Sequence, residues 1–298
     1  MTAQEAKKIS NKSNNDVLRH SSDILFLMDA VMTNPNGDPF ENIPRRCRTE
    51  KGDIGEITGV CLGQTIRAYL KDIKVNNLSL PVFVDREAEV LSSGEAFAKF
   101  AEKVNEIEKQ EDKAQFIADS FMEKFIDVRL FGALITIQEK AQEKLKRLGV
   151  VFKQNSIQRT GPVQLGTLGA TVHPIVIQKV PITSTFRSKE TKGKPDEKDT
   201  EQGTRGEKWV VNYGLYQFTP VIDATLAAKT RMKTTDKNLF VEALWCGVKT
   251  RISGSKTNQL PLLYVEVVYK EGIKGRIGRL SDFVDYKPVK EPQKVSDI

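Results

Sequence analysis

Apolar and polar positions along this chain fall in blocks whose period switches between that of a strand and that of a helix. Residues 24–32, ILFLMDAVM, form a near-continuous apolar run, the pattern of a central strand covered on both faces. The turn formers Asn34-Pro35-Asn36-Gly37 end it. Thr58 can cap a helix running to about Lys74, with Leu62, Ile66, Tyr69, Leu70 and Ile73 on one face and Gln64, Arg67 and Lys71 on the other. From residue 95 to about 125 the chain is charged and helical, with Phe97, Phe100, Val104, Ile107, Phe116, Ile117 and Phe121 as a broken apolar stripe. This predicts a peripheral helical insertion over about 76–126. Residues 127–133, DVRLFGA, read as a short strand ending in glycine, and 137–148 as a helix. Residues 163–171 and 175–182 read as strands flanking a turn at His173-Pro174.

Residues 185–208 break the pattern. About half are charged, with both signs interleaved, and Gly193, Pro195, Gly203 and Gly206 punctuate them, so the segment should project as a long loop or ribbon. Residues 209–218, WVVNYGLYQF, read as a strand returning to the core, 236–248 as a helix and 260–269 as the final strand. Residues 1–20 read as a disordered leader, 21–290 as one domain and 291–298 as a loose tail. The order of elements is α+β and compatible with a βαββαβ ferredoxin-like sheet carrying large inserts.

At 298 residues the chain can bury a full core. A net charge of +7 and a pI near 9.1 favour an anionic partner. Charged residues make up 29%, so acids balance most of the basicity and binding must come from placed residues. Cys47, Cys61 and Cys246 are odd in number and form no CxxC pair, which argues for reduced thiols rather than a disulfide framework or a zinc site. The first 20 residues have no apolar core of a signal peptide, and no run approaches the roughly 20 apolar residues of a membrane span. The expectation is a soluble, cytoplasmic protein that needs no cofactor.

The segment 33–48, TNPNGDPFENIPRRCR, carries the clearest candidate chemistry. Arg45, Arg46 and Arg48 follow a glycine-bearing turn that leaves a core strand. Arginine offers phosphate a planar fork, and glycine lets backbone N–H groups come close. The alternative is an ordinary strand exit with solvated charges. Walker, HExxH and GxSxG motifs are absent.

Five segments in order, NPNGDP…NIPRR (34–46), ITGVCLGQTIRAYL (57–70), DVRLFGA (127–133), GPVQLG (161–166) and YGLYQF (213–218), give the chain a family resemblance. It resembles the RNA-binding backbone subunit of type I CRISPR surveillance (Cascade) complexes, most closely the I-B/I-C branch. The resemblance implies a modified RNA-recognition-motif core with an inserted helical domain and a protruding β-ribbon thumb. It also implies head-to-tail copies along one CRISPR RNA, contact with target DNA through the guide, and other Cascade subunits as partners. Carried over to this sequence, the RNA-binding positions are Asn34, Asn36, Gly37, Arg45, Arg46, Gln64, Arg67, Lys71, Arg129 and Gln164, with Arg187, Lys189 and Arg205 on the thumb. Gln64 stands where the family often has a basic residue. No aromatic RNP1 pattern is present, so contacts that track the RNA backbone are expected rather than bases stacked on the sheet. The competing enzyme reading is an endoribonuclease of the same superfamily acting through Asp38 or a histidine. Against it, Asp38 in NGDP reads as a turn former, His20 lies in the leader and His173 beside a proline. A free-standing RNA chaperone is a third possibility.

Overall fold

The structure, a computed structural model, describes residues 17–298 except 76, 86–90, 106–112, 153–155, 184–204 and 274. Strand β1 (Ser22–Thr33) leads through a loop into the hairpin β2 (Arg46–Thr49) and β3 (Gly52–Thr58), then helix α1 (Gly59–Asp72). A small hairpin, β4 (Lys74–Val75) and β5 (Leu78–Ser79), precedes helices α2 (Ser93–Asn105), α3 (Lys113–Lys124) and α4 (Ile126–Phe131). Strand β6 (Gly132–Thr136), helix α5 (Glu139–Arg147) and strand β7 (Ser156–Thr160) complete this part. The chain then forms β8 (Val163–Gln164), β9 (Leu168–Ile175), β10 (Ile177–Thr183), β11 (Arg205–Phe218) and β12 (Val221–Ile222). Helices α6 (Ala224–Thr230) and α7 (Thr234–Thr250) and strand β13 (Gln259–Val268) end the regular core.

The apolar run of β1 has a direct explanation. Antiparallel neighbours flank the strand, with Phe26 opposite Phe218 of β11 on one edge and Tyr264 of β13 on the other. On one face Ile24, Phe26, Met28 and Ala30 pack against Leu62, Ile66 and Leu70 of α1 and Phe240 and Leu244 of α7. On the other, Leu25 and Leu27 meet Tyr213, Leu215 and Leu280. Strand β9 pairs with the far edge of β11, and β3 with β9. The helical insertion has its own core around Phe97, Phe121 and Val128, and this core extends beyond residue 126 to Leu145 and Val150.

Four expectations need correction. First, residues 17–20 are held in place. Leu18 N–H donates to Met232 O at 2.9 Å, its side chain is buried, and His20 Nδ1 lies 3.0 Å from Tyr269 O. Second, DVRLFGA is mainly helix, stopped by Gly132 at φ 76°. Its alternating apolar residues imitate a strand because Ile126 and Leu130, one turn apart, enter the main core while Val128 enters the helical one. Third, His173-Pro174 lies inside β9, where the register against β3 shifts between Ile54 and Glu56 and a residue lacking N–H is tolerated. Fourth, the tail is held. Lys287 N–H donates to Ile298 O, Val289 N–H to Asp297 O, and Tyr286 OH to Gln217 Oε1. Leu280, Val284, Tyr286 and Ile298 thereby cover the second sheet face.

Strands β10 and β11 form a hairpin up to the Thr183–Arg205 pair. The ribbon expected over 185–208 falls mostly outside the described residues, and so do Arg187 and Lys189.

His173 is a structural residue. Leu215 N–H donates to Nε2 at 3.2 Å, so Nδ1 carries the proton and donates to Pro174 O at 2.7 Å. The ring lies parallel to Tyr213, 5.5 Å between centroids. Burial pushes its pKa below the ordinary histidine value, against a smaller opposing effect of the Pro174 bond. The neutral ring therefore contributes stability above the unfolded value of about 6.5, which is lost as pH falls through the depressed folded value. His173→Phe should lower the melting temperature at pH 7.5 and make its decline below about pH 6.5 shallower. Thermal unfolding across pH checks this, and an unchanged acid slope would refute the assignment.

Candidate nucleic-acid interface

The loop leaving β1 is tightly braced. Thr33 Oγ1 and Asn34 N–H both donate to Ser255 O, at 2.5 and 3.0 Å. Asn34 Nδ2 donates to Asn42 O at 2.7 Å, and Arg45 N–H to Asn36 O at 2.8 Å. Gly37 sits where the two arms cross, and a Cβ there would lie 1.9 Å from Asn42 Oδ1. Asp38 closes the tip by accepting N–H bonds from Ile43 (2.7 Å), Phe40 (2.8 Å) and Glu41 (3.0 Å). The N–H groups of Glu41 and Phe40 hold its carboxyl below the usual range.

Asn36 ties this loop to α1. Its Oδ1 accepts Thr58 N–H at 2.9 Å and Thr58 Oγ1–H at 3.0 Å, while Thr58 Oγ1 accepts Cys61 N–H at 3.1 Å as the helix cap. The GPVQLG segment closes on the same point, because Gly59 N–H donates to Thr167 O and a Cβ on Gly59 would lie 2.0 Å from Gly166 O. Nearby Gln164 is exposed, with Nε2 donating to Gly161 O at 2.7 Å. The structure thus gathers Asn34, Asn36, Gly37, Arg45, Arg46 and the start of α1 around one loop–helix junction.

The arginines differ in what holds them. Arg45 is half-buried, and among the described residues its Nε finds no hydrogen-bond partner. Arg46 Nε lies 2.7 Å from Asp53 Oδ2, an ion pair whose N–H does not point along the contact. Arg48 is exposed. These three and Phe40, Ile43 and Pro44 line an open cleft of about 770 Å³.

Along α1, Gln64, Arg67, Lys71, Asp85 and Arg251 line a smaller cleft of about 190 Å³. Arg67 Nε donates to Asp127 Oδ2 at 3.1 Å, and its guanidinium stands 4.8 Å from the Phe131 ring centroid. Asp127 is 1% exposed and also accepts from Phe83 and Val84 N–H. Lys71 Nζ pairs with Asp85 at 2.9 Å. Arg129 is further committed. Its Nε and Nη2 form a fork on Asp236 at 2.8 and 2.9 Å, and Nη1 reaches Glu123 O. Arg67 and Arg129 are therefore each brought to a buried carboxylate, Arg67 while also lining the smaller cleft.

Three residues at the junction carried no signal in the sequence reading. Arg251, at the end of α7, donates through Nη1 to Thr65 Oγ1 and faces the smaller cleft. Lys256 Nζ contacts Pro35 O and lies 3.7 Å from Cys61 Sγ. Phe40 is 94% exposed. The first two lie more than 180 residues from their partners in sequence, beyond the reach of any local pattern.

The family model for "CRISPR-associated protein Cas7" matches residues 20–298. A protein of that name from Haloferax volcanii is 24% identical over 257 residues, which cover 84% of this chain and 71% of the relative. Two solved chains are also similar to this one, both 14% identical to it and both matched over 82% of it. A chain of a pre-nicking CRISPR RNA-guided surveillance complex superposes with a TM-score of 0.48 and 77% of its own length covered; one of a CRISPR RNA-guided surveillance complex gives 0.44 and 67%. With the family pattern running from residue 20 to the last residue, the chain belongs to the CRISPR-associated protein Cas7 family.

Proposed function

We propose that this chain is a CRISPR RNA-binding backbone subunit of a surveillance complex, with the β1–α1 junction as its RNA track. The observation that carries this is the braced loop 34–48, which sets Arg45, Arg46 and Arg48 beside the capped start of α1. A rigid, arginine-bearing, glycine-bearing surface suits a phosphate backbone and reads no bases, as a guide-holding subunit requires. The strand order β13-β1-β11-β9, all antiparallel, with α1 and α7 on one face, supports a modified RNA-recognition-motif core. The β10–β11 hairpin is the proposed base of a thumb carrying Arg187, Lys189 and Arg205. On the same reading copies stack head-to-tail on the guide in the cytoplasm, meet target DNA through it and join other subunits of an I-B/I-C-type complex.

Within this proposal Arg45, Arg46, Gln64 and Gln164 contact RNA directly. Lys71 stands at the mouth of the groove, Asn34, Asn36 and Gly37 shape the loop, and Arg67 and Arg129 position the elements beneath it. Arg45→Ala and Arg46→Ala should each weaken guide binding regardless of sequence. Each should also flatten log K against log salt by about 0.7, the value for one single-strand phosphate contact. Arg129→Ala should instead lower stability by about 3–5 kcal/mol, because it strands Asp236 in the core. Salt-dependent filter binding and chemical denaturation separate the two effects. Wild-type slopes in the double variant Arg45→Ala/Arg46→Ala would falsify the phosphate track.

The subunit is proposed to be non-catalytic. Asp38 is occupied by three backbone donors, a turn-closing role rather than that of a base or metal ligand. Asp38→Ala should loosen the loop and weaken RNA binding while leaving background cleavage of bound RNA unchanged, with or without divalent metal. Regularly spaced cuts that vanish on this substitution would move the protein to the endoribonuclease class.

A further inference from the structure

We infer that Phe40 is a stacking platform for one nucleobase of the single-stranded RNA that runs through the 34–48 loop. The inference rests on the RNA-binding reading and adds a base contact to a surface otherwise described only by phosphates. Phe40 is 94% exposed, yet it is not on a loose segment. Its own N–H and that of Glu41 are fixed on Asp38, and Asp38 N–H closes onto Ile43 O at 2.8 Å. The Gly37–Pro44 bridge locks the arms below. A large apolar ring held out in water on a rigid turn gains nothing for folding and is available to be covered by a ligand.

The surroundings identify the covering group. Phe40 shares its cleft with apolar Ile43 and Pro44 and with Arg45, Arg46 and Arg48, and the carboxylates of Asp38, Glu41 and Glu56 also line it, Asp38 being taken up by backbone donors. A flat apolar face beside several guanidiniums matches a nucleotide, which brings an aromatic base and a phosphate in one unit. Arg45 contributes a buried Nε that finds no hydrogen-bond partner among the described residues, a donor at the same cleft. An apolar protein partner would cover the ring but would offer no acceptor to the Arg45 Nε or to the exposed Arg48. Stacking is indifferent to base identity, so this contact keeps the subunit blind to guide sequence. The braced loop is pre-ordered, so binding incurs little loss of chain entropy there.

The test uses the full-length protein and two probes of equal length, a mixed-sequence single-stranded RNA and a ribose-phosphate oligomer without bases. Wild type should prefer the base-bearing RNA, and Phe40→Ala should shrink that preference about tenfold while leaving the salt slope unchanged. Phe40→Leu should behave like Phe40→Ala, and Phe40→Trp should retain affinity and show RNA-dependent quenching beyond that of Trp209 and Trp245 in wild type. If Phe40→Ala keeps the full preference for bases, the stacking platform is overturned. If Phe40→Leu binds RNA as wild type and the Ala variant fails only in forming multi-copy particles, the ring contacts a neighbouring copy instead. A changed salt slope in Arg45→Ala and Arg46→Ala alongside a silent Phe40→Ala would overturn the base contact and leave the phosphate track standing.

Discussion

Strand β1 is buried on both faces and paired on both edges, and the rest of the molecule is arranged to keep it so. A strand in that position needs antiparallel partners on both sides and apolar cover above and below. Helices α1 and α7 supply the cover on one face, and the segment from Leu280 to Ile298 supplies it on the other. The candidate RNA loop begins where this strand ends. Its first residues, Thr33 and Asn34, are still anchored to Ser255, so the loop inherits the rigidity of the sheet. The geometry of this surface is thus a by-product of how firmly one strand is held.

Buried carboxylates organise the second level. Asp127 and Asp236 are nearly inaccessible, and each is matched by an arginine and by backbone donors. An ion pair of this kind is no guarantee of net stability, because the desolvation penalty approaches the Coulombic gain. What it does enforce is geometry. Arg67 can reach Asp127 only if α1 and α4 lie correctly, and Arg129 can reach Asp236 only if α4 and α7 do. These pairs set the helical insertion against the sheet at the point where the smaller cleft opens.

Local chemistry was readable and long-range pairing was not. The apolar run of β1 and the Thr58 cap announce themselves within a few residues, and the structure places both as expected. The partners of the charged residues on α1 are not legible locally. Arg67 and Lys71 meet Asp127 and Asp85, which other elements bring opposite them. The helix α4 looked like a strand because its alternate residues bury in two different cores. Phe40 escaped notice because one aromatic residue in a polar loop has no period. Its exposure is evident only once Asp38 is seen to hold the turn.

The six residues of α4 carry a consequence for how sequences of this kind can diverge. Ile126 and Leu130 belong to one core and Val128 to the other, so this short helix acts as a rotational key between two compartments. Exchanging one aliphatic residue for another of similar volume is tolerable there. Gaining or losing a single residue is not, because each position would turn by about 100° and hand its side chain to the wrong compartment. Length variation should therefore accumulate in the surrounding loops and stop at this helix, making its spacing to Gly132 more constrained than its composition.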